Sequence, residues 1–569
     1  MSALDLSEAL PEIAGREAMP AKARRQPDQM RGRIRLAIGM FGLAYLVLVG
    51  RLVMFGLMPP AAGNGVDPAA GAATGRPDLV DRNGEVLATD VKMASLFAEP
   101  RNILDADEAT ELLTSVLPDL DAVATRKKLS GENGFVWLKR EITPTQQASV
   151  HALGIPGVGF LRESKRFYPG GNSAAHLMGL VNIDNQGTAG LEKYVDDHGL
   201  RDLHTAGFGH DDSLEAVRLT IDARVQHILR DELSAAMERY HAIGACGVII
   251  NVHTGEVAAM ASLPDYDPND PVDAQKPDHL NRMSAGTYEL GSIFKSFTFA
   301  MALDTGKWKL SDSVDAEHDL RIGHFTIHDF HAKHRVLTLP EVFIFSSNIG
   351  AARMALRVGA DGQRAYFQRF GLLRKPAIEL PETASPIVPS RWSDLTTATA
   401  AFGHGIAVTP LQVAVADAAL VNSGKLIPPT LFPRTREEAD KLAVQVIKPE
   451  TSAQLRYLFE LNVEKGSGTR AAVPGYFVGG KTGTADKVEN GRYSAKKNIN
   501  SFLAAFPMDD PQYAVLVVID EPQPEKQGAP FTAAMNAAPT VGAIIRRAAA
   551  ILGVKPRTTG VNGAVLVSN

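Results

Sequence analysis

Three short stretches carry the side chains from which an acyl-transfer site is built: Ser292-Ile293-Phe294-Lys295, Ser346-Ser347-Asn348 and Lys481-Thr482-Gly483-Thr484. A serine hydroxyl is a weak nucleophile at neutral pH and needs a base within hydrogen-bond reach. Lys295 follows Ser292 by three residues, so one helical turn puts both on the same face. It serves as the base only when neutral, a state that burial and nearby positive charge favour. Ser346 is a candidate to pass a proton to a leaving amine, and Asn348 offers the paired donor and acceptor that hold a substrate amide. Lys481 adds positive charge near Lys295 and Ser346, and the hydroxyls of Thr482 and Thr484 suit a carboxylate. Gly479, Gly480 and Gly483 let a ligand backbone lie against the strand edge. The backbone N–H groups of Ser292 and Thr484 are candidates for an oxyanion hole.

Each stretch also has a plainer reading. Ser-x-x-Lys arises by chance, and Ser494 and Lys497 repeat the spacing inside the polar stretch 490–500, with no apolar helix behind it. Ser292, by contrast, opens an apolar segment that runs to Leu303 and stops near Gly306, the pattern of a helix. Ser346 and Asn348, taken alone, read as a helix cap or turn. Cys246, the single cysteine, sits in the apolar run 244–250 and reads as a packed strand residue rather than a nucleophile. Asp222 reads as a helix cap and His404 as a packing residue.

The elements that must position these groups follow from the patterning. Leu219 to Asp222 ends a strand, and Asp222 caps a helix predicted over 223–240. Strands are predicted at 247–252 and 256–261, joined by a turn at His253-Thr254-Gly255, and again at 501–506 and 513–519. A helix is predicted over 532–552. Strands at both ends with a helical insert between them predict an α+β domain with a central antiparallel sheet flanked by helices. Upstream, residues 81–88 read as a hairpin turning at Asn83-Gly84, and 106–154 read mainly as short helices.

The chain has 569 residues, with 45% hydrophobic and 22% charged, ample for more than one domain. A formal net charge of -5 argues against a nucleic-acid partner. One cysteine permits no intrachain disulfide. From Leu36 to Met58 runs an apolar stretch of about 22 residues, broken only by Arg51, enough for one helical crossing at roughly 1.5 Å per residue. Arg51 lies near its outer end, where it can snorkel to the interface. Arg16, Lys22, Arg24, Arg25, Arg31, Arg33 and Arg35 precede it, and no Lys or Arg follows until Arg76, which predicts a cytoplasmic N-terminus. The long polar lead favours an uncleaved anchor over a signal peptide. The expected layout is a tail 1–35, a transmembrane helix 36–58, a linker 59–75, a first folded domain 76–216, a second 217–553 and a flexible tail 554–569.

The three motifs in this order resemble the active site of the class B penicillin-binding proteins, and within that class the septal enzymes of cell division. Further stretches carry the likeness: Asn281-Arg282, 288–291, Phe402-Gly403-His404-Gly405 through Gln412, and 474–481. Arg166-Phe167-Tyr168-Pro169 and Gly190-Leu191-Glu192-Lys193 resemble the elongated, non-catalytic pedestal (dimerisation-type) domain of the class, with Arg166 and Glu192 expected as a structural ion pair. The likeness departs at Leu290, where the family has proline, and at Ile293 and Phe294, where it has smaller residues. This bears on the approach to the serine and on affinity for particular β-lactams.

The resemblance implies a D,D-transpeptidase that cross-links peptidoglycan stem peptides through a serine acyl-enzyme and is acylated by β-lactams. Ser292 would be the nucleophile, Lys295 the base, and Ser346 and Lys481 the proton relay. Asn348, Thr482, Gly483 and Thr484 would bind the stem. It implies no metal and no organic cofactor. It places the protein in the bacterial inner membrane at the division septum, catalytic domain periplasmic, beside a glycan polymerase of the FtsW type and other division proteins. The elongation-specific transpeptidase is the alternative within the class. A β-lactam sensor would want more spans and an effector domain, and a β-lactamase would want a Glu-x-x-Leu-Asn segment that is missing here.

Overall fold

The architecture, seen in a computed structural model, is built on two five-stranded sheets, the first mixed and the second antiparallel. The structure describes residues 75–198, 215–489, 492–526, 528 and 530–557, with Gly39, Met40, Gly42, Tyr45 and Leu46 upstream. The expected membrane span lies outside the described residues except at those five helical positions, and the expected linker and tail lie largely outside them. Among the described residues no helix is long and apolar enough to cross a membrane.

The first sheet is organised by one long strand. β1 (Leu79–Val80) turns through Asn83-Gly84 into β2 (Val86–Ala98), as the hairpin signal predicted. Helices α1 (Ala106–Val116) and α2 (Ala122–Leu129) follow, capped by the side chains of Asp105 and Asp121. The helical expectation for 106–154 then needs correction. β3 (Val136–Ile142) intervenes before α3 (Pro144–Ala152), because Val136, Trp137, Lys139 and Ile142 pair with the free edge of β2. β4 (Val158–Phe167) covers the other edge of β2 over ten residue pairs.

At the foot of this sheet, α4 (Gly190–Asp197) brings Glu192 beneath β4. Arg166 Nε lies 2.6 Å from Glu192 Oε1, and Arg76 Nε lies 2.7 Å from Oε2, with all three side chains wholly buried. Asp90 and Asp196 take the outer faces of the two guanidinium groups at 3.1 and 2.8 Å. Two cations buried around one carboxylate are tolerable only because these further acceptors complete the cluster.

β5 (Val217–Arg218) runs parallel to β1 and leads into the second domain. Asp222 accepts from the N–H groups of Arg224 and Val225, capping α5 (Ala223–Arg239). β6 (Gly244–Asn251) and β7 (Val257–Leu263) then form a hairpin. The helical insert contributes α6 (Phe294–Asp304), α7 (Leu339–Ile344), α8 (Asn348–Val358), α9 (Pro410–Val421) and α10 (Pro449–Lys465). The chain returns as β8 (Gly479–Glu489), β9 (Arg492–Phe506) and β10 (Tyr513–Asp520), and α11 (Ala537–Ala548) follows.

The five strands stand in the order β8-β9-β10-β6-β7, every pair antiparallel. Along β10, Val515, Val517 and Ile519 join the core under α5 and α11, while Ala514, Leu516 and Val518 join the core under the insert. Both faces are covered, so the strand reads as an unbroken apolar run. Cys246 is buried on β6 between Val518 and Ser262.

Candidate active site

Ser292, the expected nucleophile, sits one step earlier than a simple helix reading places it. Gly291–Ile293 form a single 3-10 turn, and α6 begins at Phe294. Gly291 holds φ at +56°, and a Cβ there would meet Thr484 O at 2.7 Å. Only glycine lets this turn lie flat against β8. Gly483 is required from the other side, since its Cβ would meet Leu290 O at 2.3 Å. Leu290, Ile293 and Phe294, the bulky departures, are fully buried. Phe294 packs edge-on against Phe297 and Phe367, so it fills the core behind the serine.

Every residue of α6 is buried, Lys295 included, and Lys295 Nζ lies 2.9 Å from Ser292 Oγ. The same nitrogen donates to Ser346 O at 2.5 Å and Asn348 Oδ1 at 2.8 Å, and lies 3.0 Å from Ser346 Oγ. Two of these four partners are carbonyl-type oxygens that can only accept. A neutral amine has two N–H bonds for them and keeps its lone pair for a hydroxyl proton. Burial first, then the charge of Lys481, push the Lys295 pKa well below its ordinary range, against an opposing pull from Asp329.

Ser346 is held at φ +57°, between α7 and α8, in the left-handed region that a non-glycine residue adopts at a cost. The helix-cap reading applies to the middle residue of this motif. Ser347 Oγ accepts from Gly350 N–H and caps α8, while Ser346 and Asn348 turn to Lys295. The amide of Asn348 is committed to the protein, its Oδ1 to Lys295 and an N–H to His328 O at 3.0 Å.

Lys481 is fully buried on β8, in register with Leu503, with Nζ 3.0 Å from Ser346 Oγ. Burial lowers its pKa to about 7. Ser346 Oγ is therefore a bridge between two lysines. Thr482 Oγ1 lies 2.6 Å from Ser467 Oγ, and Thr484 Oγ1 accepts from Ala533 N–H at 3.0 Å. The eight expected site residues thus occupy one locus. Ser494 and Lys497, the second copy of the spacing, lie on β9.

Two participants escaped the sequence reading. Asp329 accepts from Ser347 Oγ at 2.6 Å and Ile349 N–H at 2.9 Å, setting the second motif and holding a negative charge near Lys295. Ser467 pairs with Thr482, and Asn462, on α10, binds both Ser467 N–H and Gly480 O. The Gly466-Ser467-Gly468 triplet was the available signal for Ser467; an isolated Asp329 gave none. His404 lies beside this locus, its ring stacked on Tyr493 at 5.2 Å and edge-on to Phe402.

Comparison with known proteins agrees with this geometry. Residues 245–541 match the family model described as penicillin binding protein transpeptidase domain, and 72–201 match the penicillin-binding protein dimerisation domain. The probable peptidoglycan D,D-transpeptidase FtsI of Caulobacter vibrioides is 40% identical, covering 94% of this chain and 91% of the relative. Peptidoglycan D,D-transpeptidase FtsI of Escherichia coli is 31% identical, covering 86% of each. The apo transpeptidase domain of Burkholderia pseudomallei penicillin-binding protein 3 superposes with a TM-score of 0.53 at 31% identity, covering 59% of this chain and 97% of that structure. A serine turn locked to a glycine-rich strand, two buried lysines sharing one hydroxyl, and a dimerisation domain ahead of them place the chain in the class B penicillin-binding protein family.

Proposed function

We propose that the chain is a peptidoglycan D,D-transpeptidase that cross-links stem peptides during septal wall synthesis, working through an acyl-enzyme on Ser292. The observation that carries this reading is the 2.9 Å approach of a buried Lys295 amine to Ser292 Oγ, with Ser346 Oγ bridging to Lys481. Lys295 takes the hydroxyl proton as Oγ bonds to the carbonyl carbon between the two terminal D-alanines. The N–H groups of Ser292 and Thr484 hold the oxyanion. The C–N bond then breaks, and the departing D-alanine amine receives its proton through Ser346, with Lys481 holding the relay. A neighbouring stem's amine attacks the ester, forms the cross-link and returns the proton to Ser292 through the same groups.

Asn348 holds Lys295 and offers its remaining N–H to the stem, while Thr482, Gly483 and Thr484 form the strand edge that receives the stem and its carboxylate. β-Lactams present the same carbonyl and stop at the ester. The names of the Caulobacter and Escherichia relatives support the septal assignment. We assign 36–58 as a single membrane anchor with the N-terminus cytoplasmic, 76–216 as the pedestal and 217–553 as the periplasmic catalytic domain. An FtsW-type glycan polymerase and other division proteins are the proposed partners.

Incubation with a fluorescent penicillin should label the wild-type chain covalently and leave Ser292→Ala unlabelled. Labelling that survives the substitution refutes the nucleophile. A fluorescent fusion should form midcell rings, and lateral-wall patches would move the assignment to elongation.

A further inference from the structure

Outside the locus of Ser292, a cavity of about 150 Å³ opens at the turns joining β6 to β7 and β9 to β10, against the carboxyl end of α9 and the middle of α10. Its charged lining comprises His253, Lys425, Arg436, Asp440, Arg456 and Asp510. The volume is below the roughly 300–1,000 Å³ of sites for drug-sized ligands, so an occupant is small.

The charges do not cancel. Lys425 Nζ and Asp440 Oδ1 satisfy one another at 2.7 Å. Two guanidinium groups and one carboxylate, Asp510, remain. Among the described residues the Arg436 guanidinium has no hydrogen bond and no ion pair. Arg456 Nε is buried without a partner, and Nη1 makes one long bond, 3.4 Å, to Asp509 O. A buried donor left unsatisfied is costly, and a guanidinium fork matches the oxygens of a phosphate. The carboxyl end of α9, which would repel an anion, is partly satisfied: Leu420 O accepts from Ser452 Oγ at 2.7 Å, and Ala418 O from Asn422 N–H. His253 is held below its usual range, by burial first and then by Arg436, so it adds no charge to the count at neutral pH.

We propose that this cavity binds a small phosphate-class oxyanion clasped between Arg436 and Arg456. The site sits on a helix shared with the catalytic machinery. The start of α10 holds Asp304, at the end of α6, through Lys448 N–H and Thr451 Oγ1, and its far end holds Gly480 O of β8 through Asn462.

The test is thermal unfolding of the full chain in detergent, titrated with inorganic phosphate against chloride at matched ionic strength. A saturable rise in melting temperature is expected. Arg456→Gln, and Arg436→Gln on the exposed rim, should each weaken apparent affinity by at least ~10-fold, the loss of one charge-assisted contact, while penicillin labelling at Ser292 persists. Asp510→Asn should tighten binding. No saturable shift, or affinity unchanged in both arginine variants, overturns the proposal. Glycerol phosphate supplies a second arm: equal binding identifies an ester source such as a lipid headgroup, and binding of inorganic phosphate alone identifies the free ion.

Discussion

The proposed mechanism asks Lys295 and Lys481 for opposite protonation states in one buried locus. Lys295 must be neutral to take a proton, so acylation should rise as pH climbs through its depressed pKa. On the same mechanism Lys481 must be charged to hold the relay, so acylation should fall as pH climbs through about 7. The expected rate–pH profile for labelling by a fluorescent penicillin is a bell, and Lys481→Met should lower it and abolish the descending limb. A profile that only rises would remove Lys481 from the charged role. Lys295→Arg tests the other half. A guanidinium keeps its proton at any working pH, so acylation should fall by ~10²–10⁴ while the folded state persists. At this scale much was legible: the residue types and spacings of the three motifs name these groups. What the spacing hides is the turn at Ser346, whose positive φ comes from the α7–α8 junction, and the carboxylate of Asp329, which arrives from a segment with no motif of its own.

Elements meet at Ser292 through backbone, and glycines mark the contacts. Gly403 holds φ +82°, and a Cβ there would meet Gly291 O at 2.3 Å, so the 402–405 segment braces the serine turn from behind. Gly403→Ala should cost ~1–3 kcal/mol in denaturant unfolding and slow acylation by displacing Ser292. Gly306→Ala is the control: its φ is also positive, but nothing lies within 4 Å, so stability should drop without a specific loss of acylation. Equal acylation losses in both variants would contradict the brace. The sheet and its two covering layers were readable from alternation and apolar runs, and Asp222 from its capping position. The start of α6 and the strand β3 were not, because each is decided by a partner distant in sequence, β8 for the first and β2 for the second.

Across the molecule, the pedestal is fastened by a buried charge cluster beside an apolar core built around Leu96, Leu113 and Ile142. Arg166 and Glu192 were legible as a pair; Arg76 and Asp90 were not, since they converge on it from two other segments, and Asp196, one turn beyond Glu192 on α4, carried no signal of its own. Glu192→Ala leaves two buried guanidinium groups facing each other and should destabilise the domain by ~3–5 kcal/mol, read as an early thermal transition. Catalytic-domain labelling below that transition should be retained, and its simultaneous loss would mean that the two domains unfold as one. The solitary thiol of Cys246 adds a practical corollary. Sealed between Val518 and Ser262, it is inert to maleimides while the sheet is intact. The native chain therefore needs no background removal before fluorophores are placed at chosen surface sites, and delayed alkylation at position 246 becomes a clock for opening of the protein's innermost strands.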